Sequence, residues 1–379
     1  MVFKSLYALN FIDIISFGLL APTTNVHVLS LGGNKFLIGF LASSHSFLQL
    51  LTSPIIGSWS DRNGRKPAAL LTLTVTFFSY ILLGVDSLYC YIFSRLLLGL
   101  SCHTKLLFRA LIADHASVEE QSEIYAKVGA LGAIAFILGP IIGGHIAEAD
   151  YGFKKLGFLL SGLTAASLVI IFSLKPKKVA AISDAKKGAA FKTMFEPKWR
   201  ILFSLNFLIS IVYSTFYQTF GMILNESFGA SHREVGYVIA FHSLVLIFAN
   251  LYAKQIKSAF ADDVRRIARF SVTGLLITFI SYYLLPSFWA MVAVMLPFSF
   301  CRTLLDVTFN DILIRGVQDG EKGQVMGAYD SVDMMAGLVT PLLCGLLAEQ
   351  FGYNFCILLC TLPLMLILGL INKLDMKLD

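Results

Sequence analysis

Charge is what this sequence has least of. Only 14% of its 379 residues are Asp, Glu, Lys or Arg, against 56% apolar residues. A soluble domain carries about 25% charge, so no globular core absorbs this much apolar sequence without leaving it exposed. The surplus of basic residues, a formal +6, is not gathered on one amphipathic face. It is dealt out between apolar runs, which excludes a nucleic-acid surface and fits membrane topology. Metal and redox chemistry are missing as well. The six cysteines, Cys90, Cys102, Cys301, Cys344, Cys356 and Cys360, lie in apolar stretches without metal-ligand spacing. They therefore read as small buried hydrophobes, not as a disulfide framework or a zinc site. No nucleophile motif and no P-loop is present. Neither an enzyme nor direct ATP drive is indicated, and no cofactor or metal is implied.

What is there is a series of long apolar runs. A membrane span needs about 20 mostly apolar residues, and twelve stretches qualify: 3–24, 36–57, 68–85, 88–112, 125–148, 153–174, 199–224, 234–253, 268–285, 288–313, 324–348 and 353–372. The fold class expected is an all-α membrane protein of twelve transmembrane helices in two six-helix halves. The first run is too long for a signal-peptide core and contains Asp13, so it is read as a span; a start site further upstream stays open. With both termini cytoplasmic, 23 of the 30 lysines and arginines fall on the inner side. Lys35, Lys154, Lys155 and Arg233 fall outside, and Arg95, Lys105 and Arg302 lie within spans. The plasma membrane and an organelle remain alternatives. A basic segment, 175–198, separates an N-terminal half (1–174) from a C-terminal half (199–379) and is read as a loop facing anionic lipid. The sequon at Asn225-Glu-Ser227 falls on the outer side, close to the membrane.

The halves repeat. An offset of 201 lays Leu138-Gly-Pro140 through Glu148 over Val339-Thr-Pro341 through Glu349; an offset of 197 lays Gly39, His45 and Ser46 over Gly236, His242 and Ser243. Leu9-Asn10-Phe11 matches Leu205-Asn206-Phe207 at an offset of 196. Three offsets in chain order point to a duplicated six-span unit.

Between the second and third runs stands the most charged short stretch, Gly57-Ser-Trp-Ser-Asp61-Arg62-Asn-Gly64-Arg65-Lys66. It resembles the signature of the major facilitator superfamily, with Trp59 and Ser60 in place of the usual leucine and alanine. Ser94-Arg95-Leu-Leu-Leu98-Gly99 resembles that family's fourth-span motif. Gly139-Pro140-Ile-Ile-Gly143-Gly144 resembles the fifth-span motif of its drug/proton antiporter branch, and Phe17-Gly18-x-x-x-Pro22 is similar to the tetracycline exporters. Cys102-His103-Thr104 and Arg109 through Asp114 are similar to one animal subgroup.

The resemblance implies that Asp61 braces span eleven near Gln324 and that Arg65 meets Asp114, a turn beyond Arg109, in a contact broken as the halves rock. It also implies a proton-relay role for Arg95 and an antiporter helix bend at Gly139, Pro140, Gly143 and Gly144. The second-half stretch Lys254–Arg269 shows no such pattern, and that copy is read as decayed.

Carboxylates inside spans are costly and mark function by default. Asp13 shares one face with Asn10 and Phe17 and is assigned proton or substrate coupling, with a structural partner for Arg95 or Lys105 as the alternative. Arg302 and Asp306 are one turn apart, as a self-neutralising pair or as cavity groups. Asp333, deeper than Asp330, and the repeat-related His45 and His242 complete the cavity candidates. The function expected is secondary transport of a small organic solute by alternating access, with proton antiport. The partners are that solute, protons and the lipid bilayer, the protein working as a monomer. The alternative is a membrane sensor or scaffold of the same fold.

Overall fold

The computed structural model describes residues 2–174, 196–261, 263–284, 287–317 and 322–371; of the basic segment, 175–195 lies outside the described residues. Among these the chain is helical throughout, without a strand. Helices α1 (Val2–Leu20), α2 (Thr24–Ser30), α3 (Lys35–Asn63), α4 (Arg65–Leu83), α5 (Leu88–Ser101), α6 (Thr104–His115), α7 (Val118–Glu148) and α8 (Gly152–Ser173) come first. Then follow α9 (Arg200–Phe228), α10 (His232–Ala259), α11 (Val264–Leu284), α12 (Phe288–Gly316), α13 (Lys322–Phe351), α14 (Tyr353–Leu359) and α15 (Thr361–Ile371). Eleven described stretches are long and apolar enough to cross a membrane. The fourth expected span, 88–112, forms as two shorter helices, α5 and α6.

Local chemistry explains the boundaries. The Asn34 side chain accepts from the Leu37 amide at 2.8 Å and starts α3. Ser117 and Glu120 cap each other's amides at the start of α7, at 3.3 and 2.9 Å. Ser231 and Glu234 do the same for α10, at 3.2 and 2.9 Å. Within helices, hydroxyls bond the carbonyl four residues back, as Thr72, Thr164, Thr278 and Thr308 do. That satisfies them without water.

The chain divides into two compact units: residues 1–182 with 229–243, and 183–228 with 244–379. The first unit is organised on the crossing of α1 and α7, where glycine lets backbones meet. A Cβ on Gly139 would stand 2.9 Å from the Gly18 Cα, and one on Gly143 would overlap the Leu19 carbonyl. Beside this seam Leu6, Leu9, Ala68, Leu107 and Leu111 form a buried cluster. In the second unit rings from α9, α11 and α12 supply the core. Phe216 lies 4.2 Å from Phe298 and 4.8 Å from Phe220, centroid to centroid, with Phe279 and Tyr282 around them.

The α5–α6 break contains neither proline nor glycine. Instead α3 holds it open. Gln49 Nε2 donates to the Cys102 carbonyl at 2.7 Å. The His103 ring, 2% exposed, lies between Thr52 Oγ1 at 2.8 Å and Ser53 Oγ at 3.3 Å. A neutral bond contributes about 1 kcal/mol, so three of them match what a helix forfeits by dropping its own bonds over one turn.

Candidate functional site

The charged joint comes first. Gly64 has φ +98°, which only glycine adopts readily, and it turns α3 into α4. Gly57 carries no such demand, since a Cβ there meets Leu106 at an ordinary 3.7 Å. Arg65 is 9% exposed and spends its donors on three acceptors: Asp61, Ser60 Oγ at 2.8 Å and Asp114 Oδ2 at 3.0 Å. The expected Arg65–Asp114 contact is therefore present, and Ser60, a departure from the family pattern, has a partner of its own. Lys66 Nζ donates to the carbonyls of Phe172 at 2.5 Å and Leu174 at 2.8 Å, closing the C-terminus of α8. Arg62 and Arg109 are exposed. The region named as the other partner of Asp61, near Gln324, is one where no side chain is described.

The second unit has an ionic joint of different composition. Lys257 Nζ, on α10, meets Asp311 Oδ2 at 2.6 Å, and Arg315 reaches the same oxygen at 3.2 Å. Asp311 stands 197 residues after Asp114, the offset that also relates the two histidines. The stretch 254–269 lacks the glycine and charge pattern of 57–66, but an acid held by a cation stands in this unit as well.

Asp13 points into the first unit's own interior. A cavity of about 20 Å³, counted as room for the centre of a water-sized sphere, is lined by Asp13 and Ser16 of α1, Thr76 and Tyr80 of α4, Thr104 of α6, and Thr164 and Ser167 of α8. Leu9, Ile12, Leu73 and Phe108 complete the wall. The Thr104 hydroxyl, on the first residue of α6, is a hydrogen-bond partner of the Asp13 carboxylate. The break in the fourth span thus brings the first side chain of α6 to an acid. Arg95 and Lys105 do not line this cavity. Arg95 Nε donates to the Tyr91 hydroxyl at 2.9 Å, its Nη2 donates to Thr24 Oγ1 at 3.0 Å, and its guanidinium lies 5.1 Å from the Tyr91 ring. The structural pairing of Asp13 with Arg95 or Lys105 is not what the fold makes.

In the second unit Arg302 and Asp306 approach to 3.5 Å. The Arg302 guanidinium lies between the rings of Tyr213 and Tyr217, at 4.7 and 5.0 Å. Asp333 accepts from Asn206 Nδ2 at 2.9 Å and Ser210 Oγ at 2.5 Å. Asp330 is exposed.

His45 lies where α3 crosses α5, so close that a Cβ on Gly99 would be 3.0 Å from the His45 Cα. His242 is 3% exposed on α10. Close packing accounts for the α7 motif too: Gly139 and Gly143 meet α1, and Gly144 meets the backbone of His232 and Arg233. Pro140 lies inside α7 without ending it, with its Cδ against Gly18. The groups that sequence reasoning missed are Gln49, Thr52 and Ser53, which hold the Cys102-His103-Thr104 motif at the break, and the hydroxyl lining around Asp13.

The Major Facilitator Superfamily profile matches residues 6–329 and 202–374. The chain is 24% identical over 357 residues to multidrug resistance protein 2 of Bacillus subtilis (strain 168), covering 89% of this chain and 86% of that one. It is 24% identical over 322 residues to the class D tetracycline resistance protein of Salmonella ordonez, covering 82% and 80%. The crystal structure of the human organic anion transporter MFSD10 (TETRAN) superposes with a TM-score of 0.68 at 20% identity, over 98% of each chain. With the profile covering nearly the whole sequence, the chain belongs to the major facilitator superfamily, whose members here are transporters and not enzymes.

Proposed function

We propose that this protein is a secondary transporter that moves a small organic solute across the membrane by alternating access, in antiport with protons. In this reading twelve spans form two six-helix halves, 1–174 and 199–379, joined by a cytoplasmic basic linker at 175–198, with both termini inside. The observation that carries it is the Asp13 cavity: a carboxylate within an apolar bundle, surrounded by hydroxyls and by no cation. A scaffold has no use for so costly a group. Proton binding neutralises it, and release becomes favourable when water or a cation reaches the cavity. The names of the bacterial relatives, one for multidrug and one for tetracycline resistance, support export of organic compounds.

Arg65 with Asp61 and Asp114 supplies a latch that breaks and re-forms as the halves rock, and the Arg302–Asp306–Asp333 group supplies charge for the solute path. The room around Asp13 is far below that of an organic solute, for which sites run to about 300–1,000 Å³. Asp13 therefore handles the coupling ion, and the solute binds elsewhere. Purified protein in liposomes, given an imposed pH gradient and a panel of labelled organic cations and anions beginning with tetracycline, tests the reading. Gradient-driven flux that Asp13→Asn abolishes is expected. Flux indifferent to both the gradient and the substitution overturns proton coupling.

A further inference from the structure

The cavity around Asp13 has a donor set that a proton alone does not require. Six hydroxyl-bearing residues, Ser16, Thr76, Tyr80, Thr104, Thr164 and Ser167, line the cavity with one carboxylate, and no nitrogen ligand lines the wall. Ser16 and Thr164 give their hydroxyl protons to the carbonyls of Ile12 and Leu160, which leaves hard oxygen lone pairs for a cation. The six residues come from four helices, so the arrangement is a three-dimensional cage and not one polar stripe. Hard oxygen donors select hard cations. Divalent ions of that class are held by several carboxylates, whereas here a single negative charge is available. The room is that of one water-sized particle, which admits a dehydrated monovalent ion and excludes a hydrated one.

The broken span adds to this. Discontinuous helices place unwound backbone and half-helix ends around coupling ions in transporters. Here the last residue of α5 is tied to the cavity wall: Thr76, which lines the cavity, bonds Ser101 Oγ through its Oγ1 at 3.0 Å. Gln49 holds the Cys102 carbonyl from the other side. The end of α5 is thus held in place next to one wall residue of the Asp13 cavity.

We propose that the Asp13 cavity is a sodium-ion site, in which Na⁺ and a proton compete for the carboxylate. Binding of Na⁺ to the protonated form releases the proton to solvent, so charge and mass balance. The proposal rests on the transporter reading only for its role in coupling; binding itself does not. Tyr80 is the other titratable group of the wall, and Cys102 and Arg95 are the neighbouring titratable or charged groups. The pH dependence is therefore assigned to Asp13 through its substitution and not through the titration alone.

The test is equilibrium binding of radioactive Na⁺ to the purified full-length protein in detergent, with choline replacing Na⁺ to hold ionic strength. Saturable binding at alkaline pH that weakens on acidification is expected. Both Asp13→Asn and Thr104→Val should weaken it by about tenfold or more, the equivalent of about 1.4 kcal/mol. Thr104→Val changes no charge, so it remains informative if Asp13→Asn unfolds. Absence of saturable binding in the wild type at alkaline pH overturns the site, as does binding that both variants leave unchanged. Solute flux driven by a pH gradient in Na⁺-free liposomes reports the transporter reading separately. Flux without Na⁺ binding defeats only the sodium site, and Na⁺ binding without flux defeats only the transport reading.

Discussion

Asn10 and Asn206 make the same bond in their separate units. Asn10 Nδ2 donates to the Val128 carbonyl at 3.4 Å, and Asn206 Nδ2 donates to the Tyr329 carbonyl at 3.4 Å. The asparagines are 196 residues apart and their acceptors 201, the two offsets that the sequence repeat shows for the first and fifth spans of each half. An amide on one helix reaching the backbone of another is a specific geometry, so its recurrence at those offsets supports duplication more strongly than matched apolar windows do.

The two asparagines differ in what else they hold, and stability should record it. Asn206 also donates to Asp333 at 2.9 Å, whereas Asn10 shows one long bond among the described residues. Asn206→Leu takes one donor from a carboxylate, at a cost of about 2–3 kcal/mol, and Asn10→Leu costs about 1 kcal/mol or less. Thermal unfolding of the purified variants should show the larger fall in Tm for Asn206→Leu; equal falls would contradict this ranking.

Glycines of one helix should separate into two classes. A Cβ at Gly143 overlaps the Leu19 backbone, and backbone on both sides leaves no soft atom to yield. Gly143→Ala should therefore lower Tm markedly, by the ~1–3 kcal/mol of an overpacked core. Gly129, on the same helix, has nothing within 4 Å of an added Cβ. Gly129→Ala should raise helix stability by ~0.5–1 kcal/mol, and a loss of Tm there would count against this packing.

Much of this arrangement was legible in the chain. Charge types and glycine spacing in 57–66 carried the family resemblance, and that resemblance implied the contact of Arg65 with Asp114 that the structure makes. The apolar runs gave the helices, since a bilayer demands length above all. What escaped depends on contacts from elsewhere in the chain. The α5–α6 break has no proline or glycine to announce it, and its cause lies on α3, in Gln49, Thr52 and Ser53. The lining around Asp13 draws hydroxyls from four helices, each unremarkable in its own stretch of sequence as a single Ser, Thr or Tyr. The joint at Lys257 and Asp311 kept its charges while losing the glycines, so pattern matching passed over it.

The two ionic joints should respond differently to loss of the acid. Arg65 keeps Asp61 when Asp114 is replaced, whereas Lys257, 8% exposed, has Asp311 as its acid. Asp311→Asn leaves a buried ammonium without a carboxylate. The cost falls below the ~3–5 kcal/mol of a fully buried pair, because Asp311 is one-third exposed, yet it should exceed that of Asp114→Asn. Tm measured for both variants at low and high salt decides this; a larger fall for Asp114→Asn would reverse the assignment.

A last prediction concerns acid. His27, on the short helix after the first span, stacks on Phe153 at 3.5 Å between ring centroids, and its Nε2 is buried without a hydrogen-bond partner among the described residues. Burial is the main cause that pushes its pKa down from 6.5 to about 4; His232 and Arg95 push the same way, against Asp86. The folded protein thus holds His27 neutral where the unfolded chain protonates it. Stability from this group is complete above the unfolded value of 6.5 and is lost as pH falls from there toward about 4. Partial exposure of the residue and solvent screening keep the effect modest. His27→Phe preserves the stack and removes the titration, so its Tm should fall less than that of the wild type across this window. If the two curves run parallel, the ring is not held neutral by the fold.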